Sequence, residues 1–318
     1  VGKLNSEIRF PIEQRGLDRS INLLEINPGF KAKYVPTKAY LETTDSLERK
    51  TFLVATDKHG FIDNGNNIDF SETDTTIIFL GGSTTEQLFV PQESRWQSII
   101  ERRLNEKKIS STKFRFINAG VSGANIMHST FSFLAKCVPL KPRFVVLMHN
   151  SNDYALLRLS GSYWKAPEIK SIIQTHHDSK SYRALFRDMK DYLAPNLYEL
   201  FKLARSRFAD NDDFRRFRDR EIVSLELVEE NFRTSLNAFL DLSLAWGVEP
   251  ILMTQFNRIN SEDEILKSVF FEEEIESFVT GYSRLNDVIR EVSVDREVDL
   301  IDLDRSVPSS SDYIYDTV

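Results

Sequence analysis

The sequence lacks several features that would each mark a class of protein. Its single cysteine, Cys137, excludes an internal disulfide framework. No apolar run approaches the roughly 18 residues that a membrane-spanning helix needs. A net charge of -7 argues against general nucleic-acid binding. The chain opens at Val1 without an initiator methionine, so a signal peptide or an anchor helix before Val1 stays open, and the compartment with it.

What the sequence does contain, from Thr75 onward, is an alternation of strands and helices. Short apolar runs predict strands buried on both faces at residues 75–80, 114–117, 144–148, 250–253 and 300–303. Helical spacing predicts helices over residues 94–107, 126–140, 222–246 and 272–292. Such an alternation is typical of βαβ units. We therefore expect a flavodoxin-like, three-layer α/β/α domain with a central sheet of five parallel strands.

Two regions fall outside this alternation. Residues 1–73 are irregular and rich in turns, with one convincing strand at 51–56, and are predicted to pack on the domain formed by 74–318. Residues 154–220 predict a helical insertion, which holds 14 Lys and Arg against 9 Asp and Glu, interleaved with aromatic residues. This composition suits an anionic saccharide, but it equally suits an amphipathic helical cap with a solvated, charged face. Both interpretations stay open.

Glycine and polar residues follow the first three predicted strands, at the edge where parallel sheets hold their sites. After the first strand comes Gly81-Gly82-Ser83-Thr84, where a serine hydroxyl would be exposed and a backbone N–H could face an oxyanion. The same turn could also be a tight turn alone or a phosphate-cradling loop, although no Gly-x-x-x-x-Gly-Lys-Ser/Thr pattern is present. After the second and third strands, Gly123 could bring a backbone N–H to a substrate, and Asn152 could offer its side-chain amide.

In this order the segments resemble the SGNH (GDSL-type) hydrolases. Residues 81–84 resemble the first block of that family, 118–123 the second and 150–153 the third. The fourth block has the form Asp-x-x-His, and Asp316-Thr317-Val318 resembles its first three positions, so we expect a histidine directly after Val318. Asn150 stands where the third block usually has glycine, so its side chain could narrow the site and is a candidate substrate contact.

The resemblance implies roles for particular residues. Ser83 would be the nucleophile, and Asp316 would orient the histidine that takes its proton. The oxyanion hole would be formed by the N–H groups of Ser83 and Gly123 and by the side chain of Asn152. A chain that ends at Val318 would lack the base and is expected to be inactive.

The implied activity is hydrolysis of a small acyl ester, with acetyl esters on carbohydrate as the leading substrate class and no metal or organic cofactor. Two alternatives stay open. An O-acyltransferase would use the same three residues but pass the acyl group to a sugar hydroxyl. A non-catalytic binding protein would keep the fold and lose the base. Oligomeric state stays open as well.

Further polar residues near the predicted site have competing interpretations. Residues 255–258 lie just past the fourth strand and are predicted to line the cleft, so Asn257 and Arg258 are candidate substrate contacts. His149 is predicted to point into the packing beneath the third block, and Asp153 to hold that loop. The pair at 176–177 is interpreted as a solvated loop, because neighbouring histidines rarely bind one metal ion.

Overall fold

A computed structural model describes residues 19–65, 71–164, 171–175, 223–258 and 272–314, apart from residues 22, 42, 43, 45, 72, 109 and 311. The strands in this part of the chain are β1 (Arg19–Ile21), β2 (Lys31–Tyr34), β3 (Phe52–Ala55), β4 (Thr75–Gly81), β5 (Phe114–Gly120), β6 (Phe144–Met148), β7 (Ile173–Thr175), β8 (Glu249–Met253) and β9 (Asp299–Ile301). The α-helices are α1 (Lys38–Leu41), α2 (Ser83–Glu86), α3 (Trp96–Lys107), α4 (Ile126–Ser132), α5 (Ser151–Ser160), α6 (Leu225–Ala245), α7 (Glu272–Asp295) and α8 (Leu303–Ser306).

The central sheet has five parallel strands in the order β5-β4-β6-β8-β9. The parallel sheet predicted from the apolar runs is therefore confirmed. Strand β5 is longer than predicted, because its residues 118–120 continue the backbone ladder with residues 79–81 of β4. Apolar patterning could not show this, since the ladder joins backbone groups whatever the side chains are.

Helices cover both faces of the sheet. Side chains alternate along a strand, so Ile78 and Leu80 of β4 face one layer and Phe79 faces the other. The first layer contains buried residues of α4, α6 and α7, such as Phe239. The second contains Trp96 of α3, whose ring meets that of Phe79 edge to face at 4.8 Å between centroids. The three-layer α/β/α arrangement is confirmed. Each large apolar side chain that it buries fully contributes about 1.5–3 kcal/mol to stability.

The direction of winding indicates where a ligand site is expected. From β4 the chain crosses to β5 through α3 on one face, whereas α4, α6 and α7 connect the following strands on the other face. The strand order therefore reverses between β4 and β6. In open α/β sheets, ligands bind outside the carboxyl ends of the strands at this reversal. Ser83 and Asn152 follow β4 and β6, so both lie at this edge.

Two predicted elements differ in detail. The helix expected over residues 126–140 is α4 followed by a π-helical stretch, Phe133–Cys137, and a 3₁₀ turn, Val138–Leu140. Pro139 lacks an N–H, so a regular α-helical ladder cannot continue through it. The strand expected over 300–303 ends at Ile301, because the chain turns at Asp302 and Leu303 begins α8.

The N-terminal region has more regular structure than predicted. Besides β3 it contains β2, which pairs antiparallel with β3, and β1, which pairs antiparallel with β7. The segment before β4 also contacts the central sheet, since Ile62 N–H donates to Asn118 O at 2.9 Å and Asn64 Nδ2 donates to Phe116 O at 2.8 Å. These contacts cover the exposed edge of β5. The division between 1–73 and 74–318 stays a prediction.

Much of the predicted insertion lies outside the described residues, namely 165–170 and 176–220. Its helical character, its basic surface and the loop at His176-His177 therefore stay predictions. The described residues of the insertion include the last part of α5 and all of β7. Within the described ranges, no helix is long and apolar enough to cross a membrane.

Candidate active site

The turn after β4 needs two glycines because its backbone is crowded. A Cβ on Gly81 would lie 2.1 Å from Thr85 Oγ1 and 2.7 Å from Met148 O. A Cβ on Gly82 would lie 2.6 Å from Nδ2 of Asn152. The chain can therefore turn sharply from the strand into α2, and Ser83 becomes the first residue of that helix, half-buried at the carboxyl edge of the sheet.

Side chains from other elements hold α2 in place. A four-residue helix is too short to be stable alone, and its last carbonyl groups have no partner within the helix. Here Gln97 Nε2 donates to Thr85 O at 2.8 Å, and Asn118 Nδ2 donates to Glu86 O at 3.4 Å. The position of Ser83 therefore depends on α3 and β5 as well as on its own turn.

The loop after β5 is joined to the turn after β4. Val121 N–H donates to Gly81 O at 3.1 Å, and Ala124 N–H donates to Val121 O at 3.0 Å, which closes a tight turn. Gly123 lies in this turn with φ of +81°, a conformation that side chains other than glycine rarely adopt. Leu24, from the segment after β1, lies beside it, since a Cβ on Gly123 would be 3.6 Å from Leu24 Cδ1.

Asn152 lies between these two loops. It is the second residue of α5 and only 8% exposed. Its Nδ2 donates to Ala124 O at 2.7 Å, and Ala124 directly follows Gly123. The same Nδ2 packs against Gly82, which directly precedes Ser83. The structure thus brings Ser83, Gly123 and Asn152 to one place. An amide N–H₂ and backbone N–H groups there form a set of hydrogen-bond donors that could surround an oxyanion.

Three other candidates are placed differently. Asn150 is 1% exposed, and its Nδ2 donates to Tyr282 O and to Asn286 Oδ1, both at 2.9 Å. Its side chain therefore lies in the packing against α7 rather than in the cleft. Asn257 donates to Asp304 Oδ1 at 3.3 Å.

Arg258, which follows β8, donates to Ile314 O at 2.9 Å. This bond joins residue 314 to the segment that follows β8. Asp316 lies outside the described residues, so its predicted role stays a prediction.

Two polar groups at the site were not assigned a role from the sequence. Gln255 was expected only to line the cleft, but its Nε2 donates to Thr84 Oγ1 at 2.8 Å and its Oε1 accepts from Ser151 N–H at 3.3 Å. It therefore links the loops after β4, β6 and β8. Glu86 is a buried carboxylate that accepts hydrogen bonds from Ser122. The sequence held one signal for the role of Glu86, since this charged residue closes a segment of two glycines and three hydroxyl residues at 81–85.

Beneath the cleft, buried side chains form a Ser-His-Asp chain of contacts. Ser129 Oγ lies 2.7 Å from His149 Nε2, and His149 Nδ1 lies 3.4 Å from Asp153 Oδ2. Asp153 Oδ1 also accepts from Ile126 N–H at 3.0 Å and from Tyr163 O–H at 2.6 Å. All of these side chains are at most 4% exposed, so the arrangement braces the loop after β6. The predicted packing position of His149 is confirmed.

Burial lowers the pKa of His149 to about 3. Asp153 would raise this pKa if the imidazole were charged, but the desolvation of a fully buried ring outweighs that attraction, and His128 opposes the charge further. The ring is therefore neutral in the folded protein. In the unfolded chain it gains a proton below about pH 6.5.

This difference predicts a loss of stability in mild acid. The unfolded state binds the extra proton, so stability falls as the pH drops below about 6.5 and continues to fall until it approaches the folded pKa of about 3. Between about pH 7 and pH 5 the natural protein should lose about 2 kcal/mol more unfolding free energy than His149→Gln. Urea unfolding at both pH values measures this. Parallel losses in the two proteins would contradict a buried, neutral His149.

Within the described residues, no group of three His, Cys, Asp or Glu side chains is placed to hold a metal ion. No family model matches the chain. No curated protein matches it either.

Several solved structures are similar to part of this chain. An acetyl xylan esterase, AlAXEase, is 15% identical with a TM-score of 0.40, over 73% of this chain and 78% of the other. An acetylxylan esterase from Geobacillus stearothermophilus is 13% identical with a TM-score of 0.38, over 74% and 80%. A lipase/acylhydrolase from Enterococcus faecalis is 15% identical with a TM-score of 0.39, over 73% and 77%. These values are too low for any of the three to indicate an activity or a substrate for this chain.

The three segments whose sequences resemble the first three blocks of the SGNH hydrolases lie at the carboxyl ends of β4, β5 and β6 of the five-stranded parallel sheet.

Proposed function

We propose that the protein is a serine esterase that hydrolyses a small acyl ester through an acyl-enzyme. One observation carries the proposal: Asn152 Nδ2 contacts the turn at Gly82 and bonds Ala124 O at 2.7 Å. That contact brings together the Ser83 hydroxyl, the backbone N–H of Gly123 and the side-chain amide of Asn152, where the strand order of the sheet reverses. Acyl transfer needs this combination of a nucleophile and oxyanion donors.

The reaction has two halves. Ser83 Oγ attacks the ester carbonyl while its proton passes to an imidazole, and the tetrahedral oxyanion collapses to release the alcohol, which takes that proton. Water then attacks the acyl-serine in the same way and releases the acid. We assign the imidazole to the histidine of the fourth block, with Asp316 to fix its tautomer. Each oxyanion donor is worth about 2.7–4 kcal/mol in comparable enzymes.

We propose acetyl esters on carbohydrate as the substrate class. Leu24 supports a small acyl group, because it places an apolar side chain beside the proposed donor Gly123. The segment that carries Leu24 is itself anchored, since Thr56 Oγ1 donates to Asn27 O at 2.7 Å. A substituent on the carbonyl carbon would meet this apolar wall.

Shortening Leu24 should therefore widen the acyl preference. In Leu24→Ala, the ratio of kcat/KM for a butyryl ester to that for an acetyl ester should rise about 10-fold, since a methylene in an apolar pocket is worth roughly 10- to 200-fold in discrimination. Ile21→Ala is the matched control, because Ile21 lies three residues earlier in the same segment and is 59% exposed. Ratios that are equal in the two variants would exclude Leu24 from the acyl site.

The esterase proposal is tested by acetate release from acetylated oligosaccharides, using the protein as its gene encodes it, with and without a sugar acceptor. We expect acetate release in water alone. Turnover that rises well above hydrolysis when the acceptor is added would favour the acyltransferase alternative. Saccharide binding without turnover of any ester would favour a binding protein.

A further inference from the structure

Glu86 is a buried carboxylate directly below the proposed site. It is the last residue of α2, one turn after Ser83, and 5% exposed. Its Oε2 accepts two hydrogen bonds from a single residue, one from Ser122 N–H at 2.9 Å and one from Ser122 Oγ–H. Glu86 therefore fixes both the backbone and the side chain of Ser122.

The surroundings of Glu86 are packed too closely for the contact to be incidental. A Cβ on Gly120 would lie 2.5 Å from Glu86 N, so α2 rests directly on the end of β5. Asn118 Nδ2 donates to Glu86 O at 3.4 Å, and Asn118 Oδ1 accepts from Gly120 N–H at 3.0 Å. The helix that carries the proposed nucleophile thus rests on the end of β5, and Glu86 joins this helix to the loop that carries Gly123.

The charge of Arg95 also acts on Glu86 in the interior. Arg95 is fully buried, with Nη1 donating to Asp63 O at 2.8 Å and Nε donating to Gln87 O at 3.4 Å. Burial raises the pKa of Glu86, while the hydrogen bonds from Ser122 and the charge of Arg95 act in the opposite direction. Buried ionic groups are expensive and often contribute little net stability. Their presence here is better explained by the geometry that they impose.

The peptide bond that carries the Gly123 N–H is formed with the carbonyl carbon of Ser122. A residue held at both its N–H and its hydroxyl cannot rotate freely, and the backbone of Ser122 sets the direction of the next N–H, that of Gly123. We propose that Glu86 is a positioning residue, which through Ser122 aims the Gly123 N–H at the oxyanion. The inference rests on the proposed esterase function.

The test compares two buried glutamates. Glu101 in α3 is 2% exposed and accepts a hydrogen bond from Phe116 N–H of β5 at 2.6 Å. This bond is of the same kind as that between Glu86 and Ser122 N–H, but it lies four residues before Gly120 and away from the cleft. Glu86→Ala should lower kcat about 30- to 100-fold with KM within about twofold, because a displaced oxyanion donor is lost only in the transition state. Glu101→Ala should leave kcat within about twofold. Glu86→Gln, which keeps an acceptor oxygen, should recover most of the loss.

Two further measurements keep the inference testable. If Glu86→Ala does not fold, Ser122→Ala removes the hydroxyl from the other side of the contact and should lower kcat about fivefold with KM unchanged. Deuterium uptake by the backbone amides of residues 120–124 should be faster in Glu86→Ala or Ser122→Ala than in the natural protein, and unchanged in Glu101→Ala.

The outcomes separate the two proposals. Equal losses of kcat in the Glu86 and Glu101 variants, or an unchanged kcat in Glu86→Ala, would overturn the positioning role. If the natural protein hydrolyses no ester, the esterase function fails. Uptake at residues 120–124 then decides alone whether Glu86 holds that loop.

Discussion

Replacing Ser83 with alanine is expected to lower kcat for ester hydrolysis roughly 10⁴- to 10⁶-fold, with little change in the free energy of unfolding. The proposed acyl-enzyme cannot form without the hydroxyl, and loss of a serine nucleophile has an effect of this size in other acyl-transfer enzymes. The stability change should be small because Ser83 is half-buried and the side chain is shortened by one atom. Initial rates with an acetyl ester, together with urea unfolding curves, measure both quantities.

Ser129→Ala is the matched control for this prediction. Ser129 Oγ lies within hydrogen-bond distance of His149 Nε2, and Ser129 belongs to the buried Ser-His-Asp chain beneath the cleft. If that chain only braces the loop after β6, Ser129→Ala should keep kcat within a few-fold. Activity that survives in Ser83→Ala and disappears in Ser129→Ala would transfer the chemistry to the buried set.

Replacing Asn152 with alanine is expected to lower kcat about 100- to 1,000-fold, with KM nearly unchanged. The side chain is proposed to donate to an oxygen whose negative charge develops only in the transition state, so its loss should not weaken binding of the ground state. Steady-state kinetics with an acetyl ester separate kcat from KM.

Asn150→Ala provides the contrast from the same loop. The Asn150 side-chain amide donates hydrogen bonds to the α7 residues Tyr282 and Asn286 inside the protein. This variant should therefore lose about 1–3 kcal/mol of unfolding free energy, while its kcat changes little at a temperature where it is folded. A larger fall in kcat for Asn150→Ala than for Asn152→Ala would reverse the two assignments.

The sheet and its candidate functional edge could be predicted from the sequence because each depends on local pattern. Runs such as 144–148 are apolar throughout, and a strand buried on both faces requires this. Gly82 and Ser83 directly follow such a run, and the carboxyl-end rule for parallel sheets then places them at the site. The same reasoning places Asn152 after β6.

The contacts between distant residues could not be predicted in this way. Glu86 meets Ser122 only because α2 rests on the end of β5, and Asn150 faces α7 because residues 150 and 282 become neighbours after folding. The pairing of β1 with β7 also joins segments about 150 residues apart, with no periodic signal in either. Local pattern therefore predicted the candidate site, and long-range packing decided which polar residues lie beside it.

The central claim, that Ser83 is an activated nucleophile, is tested most directly by a fluorophosphonate serine probe. The intact mass of the protein as its gene encodes it is measured before and after treatment, beside that of Ser83→Ala. We predict one adduct on the natural protein and none on the variant. No adduct on the natural protein, or an adduct that persists in Ser83→Ala, would contradict the claim.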